Sequence, residues 1–215
     1  MMKKEEEMLR SSLKGPRAMP LARPGGMELT RRMLDLANFP SGARLIDVCC
    51  GGGATVEMLL KAGFDAQGVD LEPRADNLLV ICGSAYDLPY EDDSVDGIFC
   101  ECGFSLLEPY AALAEFARVM KTGGTLLLSD LYSRSKGGRM GALRVHSKEE
   151  FGALLTRYGF DLRFFEDHTD ALKSFLAQQI IECDHNWLHE EFGEAIGRMQ
   201  PIKCGYCLLI ARKKT

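Results

Sequence analysis

Apolar residues recur along the chain with two periods, a helical one and an extended one, and the two take turns. Leu29, Met33, Leu36 and Ala37 fall on one helical face, which Asn38 and Pro40 close. A continuous apolar run, Leu45 to Val48, then reads as a buried strand, followed by a helix with Val56, Leu59 and Leu60 inward and Gly63 as the residue past its end. A second strand, Ala66 to Val69, ends on Asp70; a third, Leu78 to Ile81, ends at Cys82-Gly83-Ser84; a fourth, Val95 to Cys100, ends at Glu101-Cys102. Pro109 suits the first turn of a helix with Leu113, Phe116, Ala117 and Met120 in one stripe, closed by Gly123-Gly124. Thr125 to Ser129 follows as strand five. Ser147 and Glu150 form a capping box for a helix with Phe151, Leu154, Leu155 and Tyr158 inward, stopped by Gly159. Phe160, Leu162 and Phe164 alternate as strand six, and Tyr206 to Ala211 makes strand seven.

Strands alternating with helices at this rhythm predict an α/β fold with a doubly wound, seven-stranded, mostly parallel sheet covered on both faces. Two irregularities are expected. Only six residues, Glu72 to Asn77, join strands two and three. A helical crossover takes about a dozen or more. The helix between these strands is therefore expected to be missing, its patch covered by another segment or by a second subunit, as in a homodimer. Before the last strand, Leu172, Phe175, Leu176 and Ile180, then Leu188, Phe192, Ala195 and Met199, describe two inserted helices at about 169–200. Residues 1–39 read as an irregular lead-in and one helix, and 40–215 as a single domain.

Composition narrows the function. A hydrophobic content of 46% over 215 residues supports one sizeable core. The net charge of −5 is mild and the basic residues are scattered, which argues against nucleic acid or an anionic membrane as the main partner and favours a small-molecule substrate. No apolar run approaches the roughly 20 residues of a membrane span. The charged start, Met1 to Arg10, precedes no apolar stretch, so secretion is not indicated and the eight cysteines read as reduced thiols in a cytoplasm.

The chemistry concentrates at Asp47-Val48-Cys49-Cys50-Gly51-Gly52-Gly53, where a strand breaks into a glycine loop that opens a helix. Such a loop lets backbone approach a ligand closely, and the free N–H groups of the helix start point at it. Asp47 gives the cradle a negative wall, suited to a cofactor carrying an ammonium group. In a doubly wound sheet the carboxyl ends of the strands converge on one crevice, here Gly51 to Gly53, Asp70, Ser84-Ala85 and Cys100 to Cys102. Asp70 lies 19 positions beyond Gly51, where a carboxylate can accept from both hydroxyls of a ribose.

In these segments, together with Gly68-Val69-Asp70, Gly83 to Tyr90, Ser94-Val95-Asp96-Gly97-Ile98 and Arg118 to Gly124, the sequence resembles the class I S-adenosylmethionine-dependent methyltransferases, over roughly residues 40–165 and the final strand. The resemblance implies a Rossmann-like methyltransferase fold with S-adenosyl-L-methionine as cofactor. It implies that Asp47 and Cys49 belong to the cofactor loop and that Gly51 and Gly53 pass the methionine part. Asp70 and Leu71 would meet the ribose end, Ser84 and Ala85 would flank the adenine, and the backbone at Cys100 would meet the amino-acid end. Two positions depart from the family pattern: Cys49 stands where a first glycine is usual, and Ser84 where an adenine-contacting aspartate is usual.

Methyl transfer is an in-line displacement that needs alignment, dryness and a base only for a protonated nucleophile. Glu101 and Asp130 are the candidate catalytic carboxylates. No metal site is expected: His185 and His189 are spaced as a helical pair beside Asp184 and Glu190 but lack the general-base glutamate spacing of a zinc hydrolase, Cys204 and Cys207 form a single CxxC, and His168 lies among acids at an edge strand. A thiol-held metalloid acceptor would need several of Cys49, Cys50, Cys100 and Cys102 to face the crevice. A nicotinamide-dependent oxidoreductase is the rival enzyme, disfavoured because Val56 falls at the third fingerprint glycine; a non-catalytic adenosylmethionine-binding module is the rival from another class. The stretch Ser133 to His146, basic through Arg134, Lys136, Arg139 and Arg144, is expected as a mobile loop that could act as a lid.

Overall fold

The computed structural model describes residues 23–73, 77–182 and 203–214, with 180–182 described by backbone alone. Its elements run α1 (Gly26–Ala37), β1 (Arg44–Val48), α2 (Ala54–Lys61), β2 (Asp65–Asp70), β3 (Val80–Cys82), β4 (Val95–Glu101), a 3-10 turn (Phe104–Leu106), α3 (Pro109–Val119), β5 (Met120–Ser133), β6 (Gly138–Met140), β7 (Leu143–Ser147), α4 (Lys148–Arg157), β8 (Phe160–Asp167), α5 (Thr169–Glu182) and β9 (Cys204–Lys213). The local signals act where the sequence puts them. Asn38 ends α1 in the left-handed conformation. Glu108 caps α3 by accepting from the Ala111 N–H, and Pro109 follows it. Ser147 and Glu150 close the reciprocal capping box of α4.

The sheet has the order β3-β2-β1-β4-β5, with β9 antiparallel on the far edge of β5 and β8 antiparallel to β9. β1, β2, β3, β4 and β5 are mutually parallel, so their carboxyl ends share one edge. Ile46, Val48, Ile98, Cys100, Leu126 and Leu128 face α3 and α4; Leu45, Phe99, Leu127 and Leu208 face α1, α2 and α5. Strand residues alternate between these two cores because successive side chains point to opposite faces.

The doubly wound, mostly parallel α/β architecture is present, and the strand count is a correction: the sheet has nine strands, not seven. The two additional strands lie in the stretch read as a mobile loop. β5 pairs with β4 only as far as Glu101↔Ser129. Beyond that point its edge is free, and β7 takes it through Tyr132↔His146 and Ser133↔Ser147, with β6 folded back on β7. An unpaired strand edge is costly to leave open, which is why this segment becomes a hairpin rather than a loop.

Between β2 and β3 the described residues, 71–73 and 77–79, form bends and turns and no helix. On the sheet face opposite α2 the segment after β3 packs down: Leu88 and Tyr90 are buried in one cluster with Ile46, Val48 and Val69, and the Tyr90 hydroxyl donates to Gln67 at 3.1 Å. The first inserted helix is α5, which brings Leu172 and Leu176 to the β9 side of the core. The second, on Leu188 to Met199, lies outside the described residues, as do His185 and His189.

Candidate active site

The carboxyl edge gathers the strand ends. β1 leaves the sheet through Cys49, whose φ of 61° is left-handed, and the chain turns on Gly51 and Gly53 with φ of 54° and 78° before α2 begins. Glycine tolerates that region and a β-carbon costs about 1–2 kcal/mol there, so Cys49 holds a strained position at the head of the loop. Its side chain has a definite neighbour. The Cys100 thiol is in hydrogen-bond contact with Cys49, a contact that, with burial, pushes its pKa up. Gly103 lies beside this pair, and a Cβ there would sit 2.5 Å from the Cys49 Cβ.

Asp47 is 3% exposed, and no described residue donates a hydrogen bond to its carboxylate. Burial, then the nearby charges of Glu101 and Asp70, raise its pKa well above the usual carboxylate range, with Arg23 opposing. Asp70 bridges the loop: Oδ2 accepts from the Gly51 N–H at 2.8 Å and Oδ1 from the Glu72 N–H at 3.0 Å. Each oxygen keeps a second lone pair, so the carboxylate can still accept from a ligand. Leu71 is half-buried, and its carbonyl accepts from the Cys82 thiol at 3.5 Å. After β3, the Ser84 hydroxyl accepts from the Tyr86 N–H at 3.2 Å, and Ala85 is buried.

The two candidate catalytic carboxylates are heavily engaged. Glu101 accepts from Thr30 Oγ1 at 3.0 Å, Thr55 Oγ1 at 3.0 Å and Ser129 Oγ at 3.2 Å, and pairs with the Arg23 guanidinium at 3.0 Å. Burial raises its pKa while Arg23 and the hydroxyls pull against it. The chain of donors continues outward, since the Tyr206 hydroxyl donates to Ser129 Oγ at 3.0 Å and the Cys102 thiol lies 3.0 Å from that phenol. Burial pushes the Cys102 thiol up to about 12. Asp130 accepts from the Ser105 N–H at 2.8 Å and the Leu131 N–H at 2.6 Å, and so staples the end of β5 to the 3-10 turn after β4. Burial raises its pKa against these bonds.

No local sequence signal marks Arg23, Thr30 and Thr55, which the residues just before α1, α1 itself and the first turn of α2 bring onto Glu101, across 71 or more residues in two of the three cases. A lone arginine or threonine carries no local signal of such a contact. His146 likewise carries no local signal. This ring lies half-buried against Phe104 and Phe151, with centroids at 6.5 and 5.4 Å, and burial lowers its pKa, Arg144 adding to that and Glu150 opposing. His168 pairs with Glu166 at 2.9 Å, away from the crevice. Cys204 and Cys207 are free thiols, three apart on one strand, and no three potential ligands cluster for a metal among the described residues.

A doubly wound sheet whose first strand opens into a positive-φ glycine loop, with an acid at the end of the second, defines a nucleotide-cofactor-binding α/β protein. Residues 46–128 match the methyltransferase domain family. Across that segment, β1 to β5, the chain is similar to the class I S-adenosylmethionine-dependent methyltransferases. It is 26% identical over 185 residues to phosphoethanolamine N-methyltransferase of Triticum aestivum, covering 75% of this chain and 36% of that protein. It is 32% identical over 109 residues to demethylmenaquinone methyltransferase of Renibacterium salmoninarum, covering 46% of each. The chain thus spans about half or less of the length of these curated relatives. Among solved structures it resembles the cyclase SpnF, with a TM-score of 0.72 at 22% identity over 98% of this chain and 93% of that one, which shows the shared fold.

Proposed function

We propose that this protein transfers the methyl group of S-adenosylmethionine to a small-molecule acceptor. The observation that carries the reading is Asp47, a buried carboxylate at the head of a glycine loop with no donor among the described residues. Keeping such a charge ionised in a dry site is costly unless a cation completes it, and the ammonium of the cofactor's amino-acid end is a cation of the right size. Both relatives named above act, by their names, on small molecules.

When bound, the cofactor supplies an activated methyl on a positively charged sulfur. The chain's residues bind and orient it. Backbone at Gly51, Gly53 and Cys100 would hold the methionine end beside Asp47 and Cys49; the free lone pairs of Asp70 would accept from the ribose hydroxyls, with Leu71 alongside; Ser84 and Ala85 would border the adenine. Glu101 holds Arg23 and α1 down over the crevice, and Asp130 fixes the turn that follows β4. Glu101, held by three hydroxyls and the Arg23 guanidinium, and Asp130, held by Ser105 through both backbone and side chain and by the backbone of Leu131 and Phe104, act by positioning rather than by taking a proton. His146, neutral because burial disfavours its charged form, is the group able to accept a proton from a protonated nucleophile.

Calorimetry with adenosylmethionine, adenosylhomocysteine and NAD tests the assignment. Saturable binding of the first two and none of NAD is expected. A well-folded protein that takes up neither sulfur nucleoside at millimolar concentration overturns it, and binding without turnover across a broad acceptor panel favours the non-catalytic module.

A further inference from the structure

The β6–β7 hairpin carries a pair of charges that no described residue compensates. Arg139 and Arg144 are direct partners in the antiparallel register, so their side chains leave the same face. Like charges placed directly opposite destabilise a hairpin. Neither guanidinium has a carboxylate or hydrogen-bond partner among the described residues, whereas Arg23, Arg32 and Arg118 each hold an acid. The nearby Glu150 is committed to its capping box, accepting from the Ser147 N–H at 2.8 Å.

The same face looks into the crevice rim. His146 lies two residues beyond Arg144 and so shares its side of the strand. Its ring meets Phe104, which stands on the turn leaving β4. Arg144, half-buried, also lies close enough to Tyr86, on the loop leaving β3, to work against the burial that raises the phenol's pKa. The Tyr86 hydroxyl in turn accepts from the Glu108 N–H at 2.8 Å, which fixes the ring at this edge.

We propose that Arg139 and Arg144 form a subsite for a phosphate group carried by the methyl acceptor, a proposal that rests on the methyl-transfer reading above. Two guanidinium forks match the charge of about −1.5 to −2 on a phosphomonoester and its bidentate geometry. A single carboxylate would leave one positive charge unmet. Binding the dianion turns a repulsive pair into a bridged one and holds the acceptor beside His146.

The test uses the wild-type chain, the double variant Arg139→Gln, Arg144→Gln, and Arg163→Gln as a control for an exposed arginine on β8. Affinity for adenosylhomocysteine is measured first by calorimetry and is expected to be equal in all three. Thermal melting of each complex is then followed with about 10 mM inorganic phosphate, acetate or chloride at matched ionic strength. Phosphate with a dissociation constant near 1 mM should raise the midpoint of the wild type and the control by about 3–6 °C, and acetate and chloride should not. The double variant should lose that shift. Adenosylhomocysteine binding with no phosphate shift, a shift retained by the double variant, or an equal shift from acetate overturns this proposal alone. Absence of adenosylhomocysteine binding in the wild type instead overturns the parent reading and the acceptor assignment with it.

Discussion

Replacing Asp47 with asparagine should stabilise the ligand-free protein while weakening its hold on the cofactor. The carboxylate is 3% exposed, receives no hydrogen bond from a described residue, and sits within the fields of Glu101 and Asp70, with Arg23 as the opposing charge. An amide of the same shape removes the buried negative charge and brings N–H donors into a site ringed by carboxylates. Burying an unpaired polar or charged group costs about 1–3 kcal/mol in mutational data, so the variant should gain roughly that amount. For a chain of this size each kcal/mol moves the midpoint by about 2–4 °C, giving an expected rise of roughly 2–12 °C. The sign of the pH dependence follows from linkage. The folded-state pKa is raised, so the folded wild type holds its proton more tightly than the unfolded chain; stability falls as pH rises through the folded value. The gap between variant and wild type should be widest at high pH and close on acidification. Differential scanning calorimetry across pH, with calorimetric titration of adenosylhomocysteine, reads both effects, and affinity should drop at least about tenfold, or 1.4 kcal/mol. A variant that melts lower than wild type with unchanged affinity refutes the argument.

Four further substitutions probe the frame around that site. Arg23→Met strands Glu101, 7% exposed, without its cation, and should lower stability in urea by about 3–5 kcal/mol; a loss under about 1 kcal/mol would show that the pair is not needed for folding. Cys49→Gly relieves a left-handed β-carbon at the cost of backbone entropy and should stay within about 1 kcal/mol of wild type. Cys49→Val, β-branched at the same φ, should lose about 2 kcal/mol or more, and equal melting of the two variants would remove the strain argument. With an acceptor in hand, kcat should fall on the acid side, at a pH below the usual histidine range, because His146 accepts a proton only when neutral and burial lowers its pKa. His146→Asn should abolish that limb and reduce kcat by about 10²-fold or more, and an unchanged limb would remove the base assignment.

The hydrophobic periods, capping residues and glycines specify α1 to α4 and β1 to β5 because each is a local signal: Asn38 and Gly63 end helices, Ser147 with Glu150 starts one, and Asp47 and Asp70 lie at strand ends that parallel winding must bring together. The short link between β2 and β3 likewise limits what can be built there, through chain reach alone.

What only the tertiary structure decided is the state of the groups at that edge. Glu101 and Asp130 look alike in sequence as free acids, yet the first collects hydroxyls from α1, α2 and β5 and the second collects backbone N–H groups from the turn after β4. The hairpin at 138–147 exists because β5 outruns β4, a property of two strand lengths in register rather than of the hairpin's own residues. Periodicity and caps act over a few residues and are therefore written locally; charge compensation and edge pairing depend on neighbours tens of residues away, and only folding chooses those neighbours.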